Sequence, residues 1–186
     1  MKNFTRKFYV ADTHFGHEMI LGHCERPFSS VREMDETMID LWNATVAPHD
    51  IVYHLGDFAL STREHATSVF KRLNGRKYLL FGNHDCRRGP QDPLPHIMAL
   101  GWEQPPTETL EVKDEGCRVF LSHYAHLTWQ AAHRETGWHF YGHSHGNLAH
   151  PHPRARDVGV DMPDVSYVPR TFKELTSAAA TIKAAA

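Results

Sequence analysis

Five short blocks of this 186-residue chain place Asp, Asn or His directly after an apolar run. They are Ala11-Asp12-Thr13-His14, Gly56-Asp57, Gly82-Asn83-His84-Asp85, Ser122-His123 and Gly142-His143-Ser144-His145. Imidazole nitrogen, carboxylate oxygen and an amide carbonyl form a nitrogen/oxygen donor set with no thiolate. Such a set suits Mn, Fe, Zn, Ni or Co better than a structural zinc site of the Cys type. The seven donors Asp12, His14, Asp57, Asn83, His123, His143 and His145 exceed what one tetrahedral ion needs and suit two ions sharing a bridge. Two divalent ions bring about +4 against about −2 from the aspartates, and a bridging hydroxide leaves about +1 for an anionic substrate such as a phosphate ester. Such a pair clamps the attacking and leaving oxygens of an in-line displacement. Most of the 16 histidines need no such role, since histidine is also an ordinary core or solvated residue.

The elements that must position these donors follow from periodicity. Lys7–Ala11, Ile51–Leu55, Lys77–Phe81, Arg118–Leu121, Trp138–Tyr141 and Val158–Val160 read as strands. Arg32–Val46 and Ser61–Leu73 have helical spacing, with Ser30 and Ser61 as N-caps, and Pro90–Leu100 is a further helix candidate. Thr107–Leu121 reads as a hairpin turning at Asp114–Gly116, which makes the sheet mixed. Alternation of strands and helices argues for an α/β fold with buried sheet. Five strands then end in Asp, Asn or His, and in such folds ligands bind beyond the carboxyl ends of the strands.

In this order, Asp12-x-His14, Gly56-Asp57, Gly82-Asn83-His84-Asp85, a single His123 and Gly142-His143-x-His145 resemble the calcineurin-like metallophosphoesterase superfamily. The local wording at 12–17, 53–58 and 158–161 is similar to a small bacterial or phage phosphoesterase branch. The resemblance implies a four-layer α-β-β-α sandwich, two mixed sheets flanked by helices. It implies one ion on Asp12, His14, Asp57 and His145 and the other on Asp57, Asn83, His123 and His143, with Asp57 bridging. Manganese is the first expectation among the two divalent ions. His84 would act from outside the coordination sphere as the acid, and Asp85 would orient His84.

Other residues carry weaker expectations. His17 either contacts substrate phosphate or begins a helix. Arg87 and Arg88 either meet a phosphate or form a solvated turn. His126 and Trp129 line the pocket or simply pack. Phe15 reads as core or pocket wall and His54 as a structural histidine, while Asp161 braces the last strand or the ligand loops. His23 and the remaining histidines get no role.

The expected reaction is hydrolysis of a phosphomonoester or phosphodiester by a metal-bridging hydroxide. No serine, cysteine or spare aspartate is placed as a covalent nucleophile. A small ester, a nucleotide or cyclic nucleotide among them, is the expected partner. The alternatives are a non-catalytic adaptor, against which the complete donor set argues, and a nuclease trimming short ends.

With 20 basic and 22 acidic residues the chain has no nucleic-acid footprint in its net charge. It has no apolar run of the roughly 20 residues needed to span a bilayer. Cys24, Cys86 and Cys117 are odd in number and unpaired in spacing, which suits free thiols in the cytoplasm. The expected organisation is a single domain over residues 1–175 with an Ala-rich helix end or tail at 176–186.

Overall fold

A run such as Phe8-Tyr9-Val10-Ala11 is apolar at every position, so as a strand it must bury both faces. A computed structural model, describing residues 4–177, shows both faces covered. The elements are β1 (Lys7–Val10), α1 (Ile20–His23), α2 (Val31–Thr45), β2 (Ile51–His54), α3 (Arg63–Arg72) and β3 (Arg76–Leu79). A 3-10 turn (Asn83–Asp85), α4 (Pro95–Met98), β4 (Thr109–Asp114), β5 (Cys117–Ser122), β6 (Gly137–Tyr141), β7 (Ala155–Asp157) and β8 (Arg170–Thr171) follow. The chain is α/β, with two four-stranded sheets in the orders β3-β2-β1-β8 and β4-β5-β6-β7. Both are mixed: β1, β2 and β3 run parallel with β8 antiparallel, while β5, β6 and β7 run parallel with β4 antiparallel.

The two-residue period of β1 sorts its side chains. Phe8 and Val10 face Met34, Met38 and Trp42 of α2 and Val69 and Phe70 of α3. Tyr9 and Ala11 face the second sheet and meet Val119, Leu121 and Phe140. Each large side chain fully buried in this way stabilises the fold by about 1.5–3 kcal/mol. On the outward face of the second sheet, the ring of His139 lies against those of Phe120, His126, Trp129 and His150.

Helix α2 begins where the sequence places it, with the Ser30 side chain accepting from the Glu33 N–H. Helix α3 differs. Its cap is Thr62, which accepts from the His65 N–H, while Ser61 pairs with the His65 ring instead. The Pro90–Leu100 helix shortens to Pro95–Met98, because the preceding segment folds into a Cys86–Pro93 bridge. The β4–β5 hairpin turns through Glu115 and Gly116, both at positive φ, as a two-residue loop demands. The last strand of the second sheet is Ala155–Asp157 and not Val158–Val160. Those three residues instead cross to the first sheet, where Ala11 donates to the Val158 carbonyl and Val160 donates to the Ala11 carbonyl. The sheets are thereby joined at the end where β1 stops. Residues 172–177 are helical, and the expected tail beyond them falls outside the described residues. Among the described residues no helix is long and apolar enough to cross a membrane.

Candidate metal centre

Parallel strands deliver their carboxyl ends to the same edge, and the blocks that follow them interlock there. Asp12 N–H donates to the Gly56 carbonyl (3.0 Å) and His14 N–H to the Asp57 carbonyl (3.0 Å). Gly142 N–H donates to the His123 carbonyl (2.9 Å), and His143 N–H to the Asp12 carboxylate (2.9 and 3.0 Å). The turns that aim the side chains are strained. Asp12, His14, Asp57, His143 and His145 all adopt positive φ, a region costly for residues with a Cβ and concentrated at functional sites. Gly56 is required by close approach, since a Cβ there would lie 2.5 Å from His123 Nδ1 and 2.7 Å from Gly82 N.

Among the described residues four groups of potential ligands result, each with its atoms within 4.8 Å of one another: Asp12, His14 and His145; Asp57, His123 and His143; His14, Asp57 and His84; and Cys24, His145 and Asp161. Asp57 Oδ2 stands 3.5 Å from His14 Nε2 and 3.4 Å from His123 Nε2, between the two. Asn83 Oδ1 is 3.2 Å from His123 Nε2. All seven residues singled out from the sequence therefore come to one place.

The ring nitrogens divide in a consistent way. His123 Nδ1 pairs with the Leu55 carbonyl (2.8 Å), His145 Nδ1 with Asp161 (2.6 Å) and His14 Nδ1 with His17 Nδ1 (3.2 Å). His14 and His123 thereby leave Nε2 toward Asp57. His14 Nε2 is buried with no hydrogen-bond partner, a costly state that a bound cation relieves. The residues fit a divalent metal: neutral imidazole Nε2 and carboxylate oxygen as donors, with carboxylate and carbonyl partners behind the rings.

Electrostatics agree. Burial lowers His14 to about 2, so this ring is neutral and free to ligate. Burial raises Asp12 to about 7, against the pull of His123 and His145. Burial also opposes charge on Asp57, yet His123 and His14 hold it below the carboxylate range. Burial lowers His123 and His145, but Asp57 and Asp12 carry the first up to about 9, and Asp161, with Cys24, carries the second to about 10. Both rings are thus protonated at pH 8 without metal and must lose that proton to ligate. Metal uptake at pH 8 should release about two protons, and affinity should fall as pH drops below the pKa of either ring. Calorimetry in two buffers of different ionisation enthalpy measures the release, and a value near zero would contradict the ligand roles of both rings.

Behind these ligands lies a residue that sequence reading passed over. Arg26, 4% exposed, donates through Nε and Nη2 to both Asp161 oxygens (2.8 Å each). It also donates to the carbonyls of Thr13 (3.0 Å) and Asp12 (2.7 Å). Arg26 and Asp161 together hold His145 and the Asp12–His14 loop in register. Asp161 matches its expected bracing role. Nothing local distinguishes Arg26 from a solvated arginine.

Asp85 does not orient His84. Its buried carboxylate accepts from the N–H groups of Asp57 (2.8 Å), Gly82 (2.9 Å) and Phe58 (3.1 Å), because the 3-10 turn folds it back under the Asp57 loop. Burial and the Asp57 charge raise it to about 7. Asp85 is therefore a support for Asp57. His84 is half-buried, with its N–H on Asp57 Oδ1 (2.8 Å) and its ring edge-on to His14 at 5.0 Å.

A cavity of about 490 Å³ opens over the centre, lined on one side by His17, His23 and Cys24. His17 is thus at the site, and so is His23. Arg87 and Arg88 are exposed on the turn after Cys86 and lie outside that lining. His126 is also absent from it: its N–H donates to His139 Nε2 and its ring packs on Phe120, on the far face of the second sheet. Trp129 is buried there too, against His139 and His152. Phe15 packs on Phe58 in the core, and His54 is buried with Nε2 on Thr13 Oγ1 (2.9 Å).

No family model matches the chain. It is 31% identical over 171 residues to the uncharacterized protein MJ1445 of Methanocaldococcus jannaschii, across 88% of this chain and 86% of that one. It is 27% identical to the Gene 66 protein of Mycobacterium phage D29, across 83% of this chain and 87% of the phage protein. The crystal structure of AQ665 from Aquifex aeolicus, a protein of unknown function, shares the fold. It superposes with a TM-score of 0.72 at 21% identity, over 94% of this chain and 100% of that one. With 31% identity across most of both chains, this chain belongs to one family with MJ1445.

Proposed function

We propose that the protein is a metal-dependent phosphoesterase that binds two divalent ions, manganese first among them, and hydrolyses a small phosphomonoester or phosphodiester. The observation that carries this reading is the buried His14 Nε2, without a hydrogen-bond partner and facing Asp57, a carboxylate common to the His14–Asp57–His84 and Asp57–His123–His143 groups. Asp12, His14, Asp57 and His145 would hold one ion, and Asp57, Asn83, His123 and His143 the other. Ions held there supply charge neutralisation for the transferring phosphoryl group and acidify water. The protein's part is to hold the rings in the Nε2-free tautomer, to keep the centre in a concave site and to present His84. With its N–H fixed on Asp57 Oδ1 and its ring in the cavity, His84 can donate a proton to the leaving oxygen. The three free cysteines fit a reducing, cytoplasmic setting.

The test compares 4-nitrophenyl phosphate with bis(4-nitrophenyl) phosphate, using protein stripped of metal and reloaded with Mn, Ni, Co or Zn. Metal-dependent turnover of at least one ester is expected. His84→Ala should keep its metal and lose about 10²–10⁴ in turnover. Because His84 also lies within 4.8 Å of ligand atoms of His14 and Asp57, loss of metal in that variant would make it a ligand instead. If no metal supports hydrolysis of either ester, the phosphoesterase reading is wrong.

A further inference from the structure

Beside the ligand residues, the cavity over the centre is lined by the further imidazoles of His84, His17 and His23. The rings of His14, His84 and His17 form a triangle with centroids 5.0, 5.7 and 5.2 Å apart, and His23 lies 6.4 Å beyond His17. Among the described residues Asp57 is the only carboxylate lining the cavity, and it faces His14 and His123. The wall is therefore rich in N–H donors and poor in charged acceptors.

The donor on His17 is fixed by the metal ligand beneath it. With a cation held on His14 Nε2, the His14 proton would sit on Nδ1, 3.2 Å from His17 Nδ1, and be donated to it. His17 must then hold its own proton on Nε2, the nitrogen left free for a ligand. The backbone holds this wall in place: His17 N–H donates to the His14 carbonyl, and His23 N–H to the Met19 carbonyl. Between them Ile20 is buried in the core at 4% exposure.

We infer that His17 and His23 form a second anion subsite, and that the substrate carries a further phosphoryl group beside the scissile one. This inference rests on the phosphoesterase reading. A single phosphoryl group on the centre reaches His84 and the neighbouring His17 at most, and leaves His23, 6.4 Å beyond His17, without a partner. A second phosphoryl group, one ring step further along the wall, meets both imidazoles. The substrate class is then a diphosphate-type ester, and the His17–His23 wall selects it over a simple monoester.

Binding of orthophosphate and of pyrophosphate to metal-loaded protein, measured by calorimetry with metal content checked afterwards, tests this directly. Pyrophosphate should bind about tenfold tighter or more, the contribution of hydrogen bonds to a charged group. His23→Gln, an exposed position, should keep its metal and melting temperature while most of that advantage disappears. His17→Gln should lose the advantage too. Equal affinity for the two anions overturns the inference, and so does an advantage that survives in both variants, since the metals alone would then hold the second phosphate. Either result leaves the phosphoesterase reading intact if the loaded protein still hydrolyses the nitrophenyl esters. If it binds neither anion and hydrolyses neither ester, both readings fall together.

Discussion

Asp57→Asn should strip the protein of metal and of activity while leaving it folded. Asparagine is the appropriate replacement because Asp57 sits at φ 58°, a left-handed conformation that Asn tolerates better than most residues. The amide oxygen can still accept from the His84 N–H, so the loop retains its internal hydrogen bond. What is lost is the charge that faces both rings, 3.5 Å from His14 Nε2 and 3.4 Å from His123 Nε2. Changing an outer partner of a metal ligand already costs 10–100-fold in affinity, so losing this shared carboxylate should cost at least about 100-fold. Metal content by mass spectrometry, with turnover on the nitrophenyl esters, reads the effect. A fully loaded and active Asp57→Asn protein would remove the shared-carboxylate assignment.

Arg26→Met should weaken the fold and the metal centre together, though Arg26 is buried and does not line the cavity. Methionine matches the unbranched stem and suits the neighbouring Met34, whose sulfur lies 3.3 Å from the guanidinium. The change leaves Asp161 buried without its bidentate partner, and the Asp12 and Thr13 carbonyls without a donor. Breaking a buried pair by removing one member costs about 3–5 kcal/mol. For a domain of this size that is a fall of roughly 6–20 °C in melting temperature. Burial opposes the Asp161 charge, and His145 and Arg26 outweigh it to keep the carboxylate ionised. Without Arg26 the carboxylate that orients the His145 ring is less well held, so metal affinity should fall 10–100-fold as well. Arg26→Lys should recover only part of both effects, because an ammonium cannot make the two-pronged contact. A variant that melts within about 2 °C of wild type and holds metal normally would show that this pair carries neither burden.

The donor residues could be read from sequence because each is announced locally. An apolar run forms a strand, a glycine or serine beside it permits a sharp turn, and a ligand-type residue follows. Within each sheet parallel strand direction sends these ends to one edge, β1, β2 and β3 in the first and β5 and β6 in the second, and the packing of the two sheets brings the edges together. The same logic failed where the outcome depended on contacts between distant segments. Val158–Val160 is apolar enough for a strand, yet Asp157 ends the sheet and these residues cross to Ala11. His126 follows His123 by three positions, yet the chain turns outward after β5 and packs it on Phe120. Asp85 adjoins His84 in sequence, but the tight turn between them points its carboxylate at three backbone N–H groups. The α/β class, and the candidate donor residues with their order along the chain, were legible in the sequence alone because they follow from side-chain chemistry and strand periodicity. Tertiary structure decided which nitrogens face the centre, that Arg26 and Asp161 lock it, and that His17 and His23 wall the cavity. Those outcomes depend on burial and on pairings as far apart as Arg26 and Asp161, which no local pattern encodes.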